Sequence, residues 1–134
     1  MSTDAVEREV QRTAAKWAFV QRVETVDKTE AAIKLRLHID TDCFIQVYTN
    51  TRKQIISYAV VFNRARILGR DCDGGLWHRH PPGKPDQHDF SPDGQRAVSL
   101  DEFLERNTAD SSRPRAPIVP ITKKNLYQET ILLH

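Results

Sequence analysis

Ile33-Lys34-Leu35-Arg36-Leu37-His38-Ile39-Asp40 alternates apolar and polar residues without a break. Successive side chains of a strand point to opposite faces, so this stretch reads as a half-buried strand with one dry and one wet face. On its C-terminal side, Asp40-Thr41-Asp42 is turn chemistry, Cys43 to Thr49 is a second strand, and Asn50-Thr51-Arg52-Lys53 turns the chain into a third, Gln54 to Phe62. Connections this short join antiparallel neighbours, because a parallel crossover takes about a dozen residues or more. A brief strand at Arg66 to Leu68, after an Asn63-Arg64 turn, completes a meander. On the N-terminal side, Val20, Val23, Thr25 and Val26 are β-branched and suit the opening of the sheet, although Phe19 to Val26 has no clear period.

Helices flank this core. Val6, Val10, Ala14 and Trp17 recur at helical steps, which predicts a helix from about Asp4 to Lys16 with Thr3 as N-cap. Ser99-Leu100-Asp101-Glu102 is a capping box, with Val98 and Phe103 placed as a hydrophobic staple, and predicts a helix to about Arg106. The fold expected is α+β: an antiparallel meander of four to five strands between about Phe19 and Leu68, with both helices packed on one face. Residues 1–107 then form one domain. Residues 108–120 are polar and Pro-rich, a linker by composition, and 121–134 form a tail or a docked element.

The 134 residues suffice for one core. No apolar run approaches the roughly 18 residues of a membrane helix and no signal-peptide core follows Met1, so a soluble, cytoplasmic, non-membrane protein is expected. Twenty Lys and Arg against eighteen Asp and Glu leave a net charge of +2, too little to argue nucleic-acid binding from bulk charge. Cys43 and Cys72 are far apart in sequence and belong to no Cys-x-x-Cys motif, so a disulfide scaffold and a redox or zinc knuckle are unsupported and two reduced thiols are expected.

The chemistry is concentrated in Gly69 to Gly94, which contains all five glycines, four of the seven prolines and three of the five histidines. This composition predicts a long irregular loop, and long ordered loops usually serve function. If Trp77 to His80 is extended, His78 and His80 share one side and Arg79 takes the other. A metal-independent ribonuclease needs a base for the 2′-hydroxyl proton, an acid for the leaving 5′-oxygen and a cation for the charge building on phosphorus. His78, His80 and His88 can supply the first two, and Arg70 or Arg79 the third. No cofactor is required by that chemistry. The same histidines, with Asp71, Asp73 or Cys72 as a further ligand, would also suit zinc, but the spacing matches no standard zinc pattern and no metal ligand set is assigned.

A purely structural reading has His78 and His80 capping loop carbonyls and Arg79 pairing with Asp71 or Asp73. Arg66, Trp77 and His38 are candidate substrate contacts: a cation, a ring that can stack on a base or plug the core, and a histidine on the wet sheet face. Cys72, between Asp71 and Asp73, is a poor candidate nucleophile because neighbouring negative charge disfavours the thiolate.

Lys34-Leu35-Arg36-Leu37-His38-Ile39-Asp40, Cys43-Phe44-Ile45-Gln46-Val47-Tyr48, Gly69-Arg70-Asp71 and Trp77-His78-Arg79-His80-Pro81 together resemble the small TumE-like toxins over about residues 30–106. The resemblance implies the toxin of a type II toxin-antitoxin pair, a ribonuclease that inhibits translation, with RNA as substrate and a helix-turn-helix antitoxin as partner. The alternatives are a metal-dependent nuclease using the same His cluster, or a non-enzymatic RNA- or protein-binding module in which Arg64, Arg66, Arg70 and Arg79 hold phosphate. The sequence allows a homo-oligomer without requiring one.

Overall fold

Ile33, Leu35, Leu37 and Ile39 are all buried, which fixes the register of the whole sheet. The computed structural model describes residues 1–108. In chain order it contains α1 (Thr3–Ala14), β1 (Arg22–Lys28), β2 (Ala32–Asp40), β3 (Cys43–Asn50), β4 (Ile55–Phe62), β5 (Ala65–Asp73), β6 (Leu76–His80) and α2 (Leu100–Thr108). The strands form one sheet in the order β1-β2-β3-β4-β5-β6, every neighbouring pair antiparallel. The α+β meander is therefore as expected in kind.

It has six strands rather than four to five. The difference arises in the glycine-rich stretch that composition assigns to irregular loop. β5 continues to Asp73, and Gly74-Gly75 then forms a two-residue hairpin turn that returns the chain as β6, with Asp73 paired to Leu76. Gly74 and Gly75 have φ of 60° and 90°. Tight hairpin turns need positive φ at their central residues, and glycine adopts it without the Cβ clash that other residues meet. Asn63 and Arg64, at φ 50° and 66°, make the corresponding turn between β4 and β5.

One face of the sheet is the dry one. Ile33, Leu35, Leu37, Ile45, Val47, Tyr58, Val60 and Leu68 from the strands meet Val6, Val10 and Ala14 of α1 and Phe103 and Leu104 of α2 in a single cluster. Both helices thus lie on the same face. Trp17 donates its indole N–H to Asp101 at 2.9 Å, which ties the end of the first helical segment to the second helix. Cys43 is fully buried in this cluster, and burial pushes its thiol up to about 12, so it is no nucleophile at neutral pH.

The helix ends differ from expectation in detail. Ser2, not Thr3, caps α1 by accepting from the Ala5 N–H, and the Thr3 hydroxyl donates instead to the Thr29 carbonyl at 2.8 Å. At α2 the capping box forms in both directions: the Ser99 hydroxyl accepts from the Glu102 N–H at 3.1 Å and the Glu102 carboxylate accepts from the Ser99 N–H at 3.4 Å. Ser99→Ala should lower stability by about 1 kcal/mol, read as a reduced denaturation midpoint at unchanged slope. The helix runs to Thr108, two residues past its expected end, and the greater part of the proposed linker together with the tail at 121–134 lies outside the described residues. Among the described residues no helix is long and apolar enough to cross a membrane.

Candidate functional site

The second face of the sheet gathers the polar residues. The Gly74-Gly75 turn sets Asp71 opposite His78 and Gly69 opposite His80 across the β5–β6 pair. All four residues alternate away from Arg70, Cys72, Trp77 and Arg79, so they share the polar face at the edge of the sheet. From β4, Ser57 pairs with Asp71 and Ala59 with Gly69, extending the same patch by one strand.

Arg66 reaches this patch because of a β-bulge. Val60 pairs with Leu68 but Val61 pairs with Arg66, leaving Ile67 as the extra residue. Strict alternation from Leu68 would send Arg66 to the dry face; the bulge instead lets Ile67 pack against the core and turns Arg66 over. The Arg66 guanidinium then lies across Gly69, where a Cβ would be 2.2 Å from Nη2 and 2.8 Å from Cζ. Only glycine leaves room for it.

Asp71 is the hub. Its Oδ1 accepts from the Ser57 hydroxyl at 2.7 Å and from Arg66 Nη2 at 3.0 Å, and its Oδ2 lies 3.0 Å from His80 Nε2 and 3.6 Å from His78 Nε2. The two Nε2 atoms are 3.1 Å apart. His80 is buried, and its Nδ1 donates to the Pro85 carbonyl at 2.7 Å. Burial holds the pKa of His78 below the ordinary histidine value, and the nearby Asp71 carboxylate opposes that effect.

His88 arrives from the following loop. Backbone hydrogen bonds of 3.1 and 2.8 Å between Arg79 and Asp89 clip the loop back along β6. That places the exposed His88 ring 4.9 Å from His78 and 4.8 Å from His80, centroid to centroid. Phe90, also exposed, lies 5.2 Å from the His78 ring.

The structure thus brings together His78, His80, His88 and Arg66 among the residues singled out from sequence. It sets four others apart. Arg70 is buried on the dry side of β5, where it donates to the carbonyls of Asp93 and Arg96 at 3.0 and 2.8 Å and pins the loop before α2. Arg79 is ion-paired with Asp89 at 3.0 Å, not with Asp71 or Asp73. Trp77 packs against the core, 6.3 Å from the Tyr58 ring. His38 sits on β2, three strands from β5, paired with Glu24 at 2.8 Å.

Asp71 as the hub, Ser57 as its support and Pro85 as the carbonyl that fixes His80 are not evident from sequence. Only the Gly-Gly hairpin could have located Asp71, since a two-residue turn after Asp73 puts Asp71 and His78 in register. Comparison of the chain with protein-family models, with curated proteins and with solved structures finds no match to any of them. The site is therefore read from its own chemistry.

Proposed function

We propose that the chain is an endoribonuclease that cleaves single-stranded RNA at the His78/His80/His88 cluster by metal-independent acid-base chemistry. The observation that carries this reading is the convergence of three imidazoles, one carboxylate and one guanidinium on the polar face at the sheet edge. His78 takes the proton of a 2′-hydroxyl as its oxygen forms a bond to phosphorus. His88, the exposed ring beside it, returns a proton to the 5′-oxygen as the P–O5′ bond breaks, giving a 2′,3′-cyclic phosphate and a free 5′-hydroxyl. Arg66 balances the charge that develops on the phosphoryl oxygens, a role its position supports better than those of Arg70 or Arg79.

His80 and Asp71 stand behind this pair. With Nδ1 on the Pro85 carbonyl and Nε2 facing Asp71, the His80 ring is held in place beside His78. Among the described residues Arg66 Nε is buried without a hydrogen-bond partner, a cost of about 1–3 kcal/mol that a phosphate oxygen would offset once the guanidinium turned to meet it.

The resemblance to TumE-like toxins supports reading the chain as a toxin that inhibits translation in the cytoplasm and is neutralised by a helix-turn-helix antitoxin. Inducing the chain in cells should arrest growth, and His78→Ala should relieve the arrest.

The mechanism requires the 2′-hydroxyl as nucleophile. Purified protein should cut an RNA oligonucleotide and leave the same sequence uncut when every 2′-hydroxyl is replaced by hydrogen, as resolved on a denaturing gel. Cleavage of the deoxy strand would defeat the mechanism, and protection of the RNA without cleavage would replace an enzyme by a binding module.

A further inference from the structure

We propose that Asp71, His78, His80 and His88 also form a binding site for one divalent ion of the zinc class. The inference stands on the geometry of the cluster and is independent of the nuclease reading.

Three donor atoms already define one face of a tetrahedron. His80 Nε2 to Asp71 Oδ2 is 3.0 Å, His80 Nε2 to His78 Nε2 is 3.1 Å, and His78 Nε2 to Asp71 Oδ2 is 3.6 Å. Ligands bound tetrahedrally at zinc bond lengths stand about 3.3 Å from one another, close to these edges. Each of the three histidines offers a ring nitrogen within 4.8 Å of the others', so a movement of the exposed loop would bring His88 to the fourth corner.

Hydrogen-bond accounting points the same way. His80 donates its Nδ1–H to the Pro85 carbonyl, and in the neutral ring this leaves a bare lone pair on Nε2. That lone pair lies 3.0 Å from Asp71 Oδ2 and 3.1 Å from His78 Nε2, a set of donor atoms that one cation at the centre would satisfy together. A proton serves, and so does a metal ion.

The surrounding contacts are those expected around metal ligands. One ring nitrogen of His80 is fixed by a backbone carbonyl while the other faces Asp71 and His78 at the centre. Asp71 divides its oxygens in the same manner, Oδ1 to Ser57 and Arg66 and Oδ2 to the centre. Three imidazoles with one carboxylate favour zinc-like ions over magnesium or calcium, which prefer all-oxygen shells. With four protein ligands the shell is closed, leaving no position for an activated water. The ion would occupy the lone pairs that move protons in cleavage, so the metal-bound and proton-transferring states exclude each other.

The test uses the full chain without a histidine tag, stripped by chelator and dialysed. It is titrated with zinc chloride by calorimetry and with cobalt(II) by visible absorption. One ion per chain and a tetrahedral cobalt spectrum are expected, with affinity reduced at least about tenfold by Ser57→Ala, as for loss of an outer-shell partner, and more strongly by His78→Ala or His80→Ala. His88→Ala, on the exposed loop, should weaken binding without threatening the fold. No saturable binding, or binding that survives a folded His78→Ala, His88→Ala double variant, overturns the site.

Cleavage is scored separately on the same samples. Saturating zinc should suppress it and chelator should restore it, whereas zinc-stimulated cleavage contradicts mutual exclusion. A stripped chain that binds zinc but never cuts RNA removes the nuclease reading and leaves the metal site standing. A chain that cuts RNA but binds no zinc does the reverse.

Discussion

Replacing His78 by alanine is expected to lower RNA cleavage by about 10²–10⁴-fold, the usual contribution of one positioned acid or base, while the chain stays folded. His78 is partly buried on the polar face, where it meets His80, Asp71 and the rings of His88 and Phe90, so its loss leaves the dry face untouched. His80→Ala should reduce cleavage by at least about a hundredfold, and it should also lower the melting temperature, because the ring is buried and bridges Asp71 to the Pro85 carbonyl. Cleavage and thermal unfolding therefore have to be measured on the same preparations. If the RNA effect of either variant merely tracks the unfolded fraction, the histidines are structural.

A second large effect is expected at a residue with no polar side chain. Gly69→Ala would drive its new methyl group into the Arg66 guanidinium, 2.2 Å from Nη2. The obstructing atoms are the end of a flexible side chain, so the strand can keep its place while Arg66 is pushed off Asp71. Losing an aligned charge-stabilising donor costs about 10²–10³ in rate, and Gly69→Ala should approach Arg66→Ala in cleavage while leaving unfolding close to wild type. Arg66→Lys should recover only part of the loss, since an ammonium keeps the charge without the planar fork. A Gly69→Ala variant with full activity would show that Arg66 contributes nothing where it lies. The Arg70→Ala and Arg79→Ala variants test the opposite placement. Their carbonyl and Asp89 contacts predict loss of stability first.

The sheet was legible where one face is wet. From Ile33 to Asp40 every second residue is buried, and period-two alternation is what that geometry writes into a sequence. It was least legible from Gly69 to His80, where the backbone is regular but the composition is that of a loop. There the glycines serve two local needs: Gly74 and Gly75 supply positive φ in the hairpin turn, and Gly69 makes room for a guanidinium. A glycine count cannot separate these needs from disorder.

The histidines of the candidate site were visible because residues two apart on an extended chain share a side, as His78 and His80 do. Arg66 was visible only as a cation. A single extra residue in β5 decides which face receives it, and alternation alone sends it to the wrong one. Asp71 was hidden among the other charges of its segment, since its role depends on cross-strand register with His78 and on Ser57 from β4, contacts between strands that no local pattern encodes.

The most direct measurement is the rate of cleavage of a single-stranded RNA in excess chelator by the full chain and by its His78→Ala variant, with the folded fraction of both determined in the same buffer. Cleavage by the parent chain, ending in a cyclic phosphate, is expected, with a loss of at least about a hundredfold in the folded variant. Equal cleavage by the two proteins, or none by the parent chain until a metal is restored, would contradict the proposed mechanism.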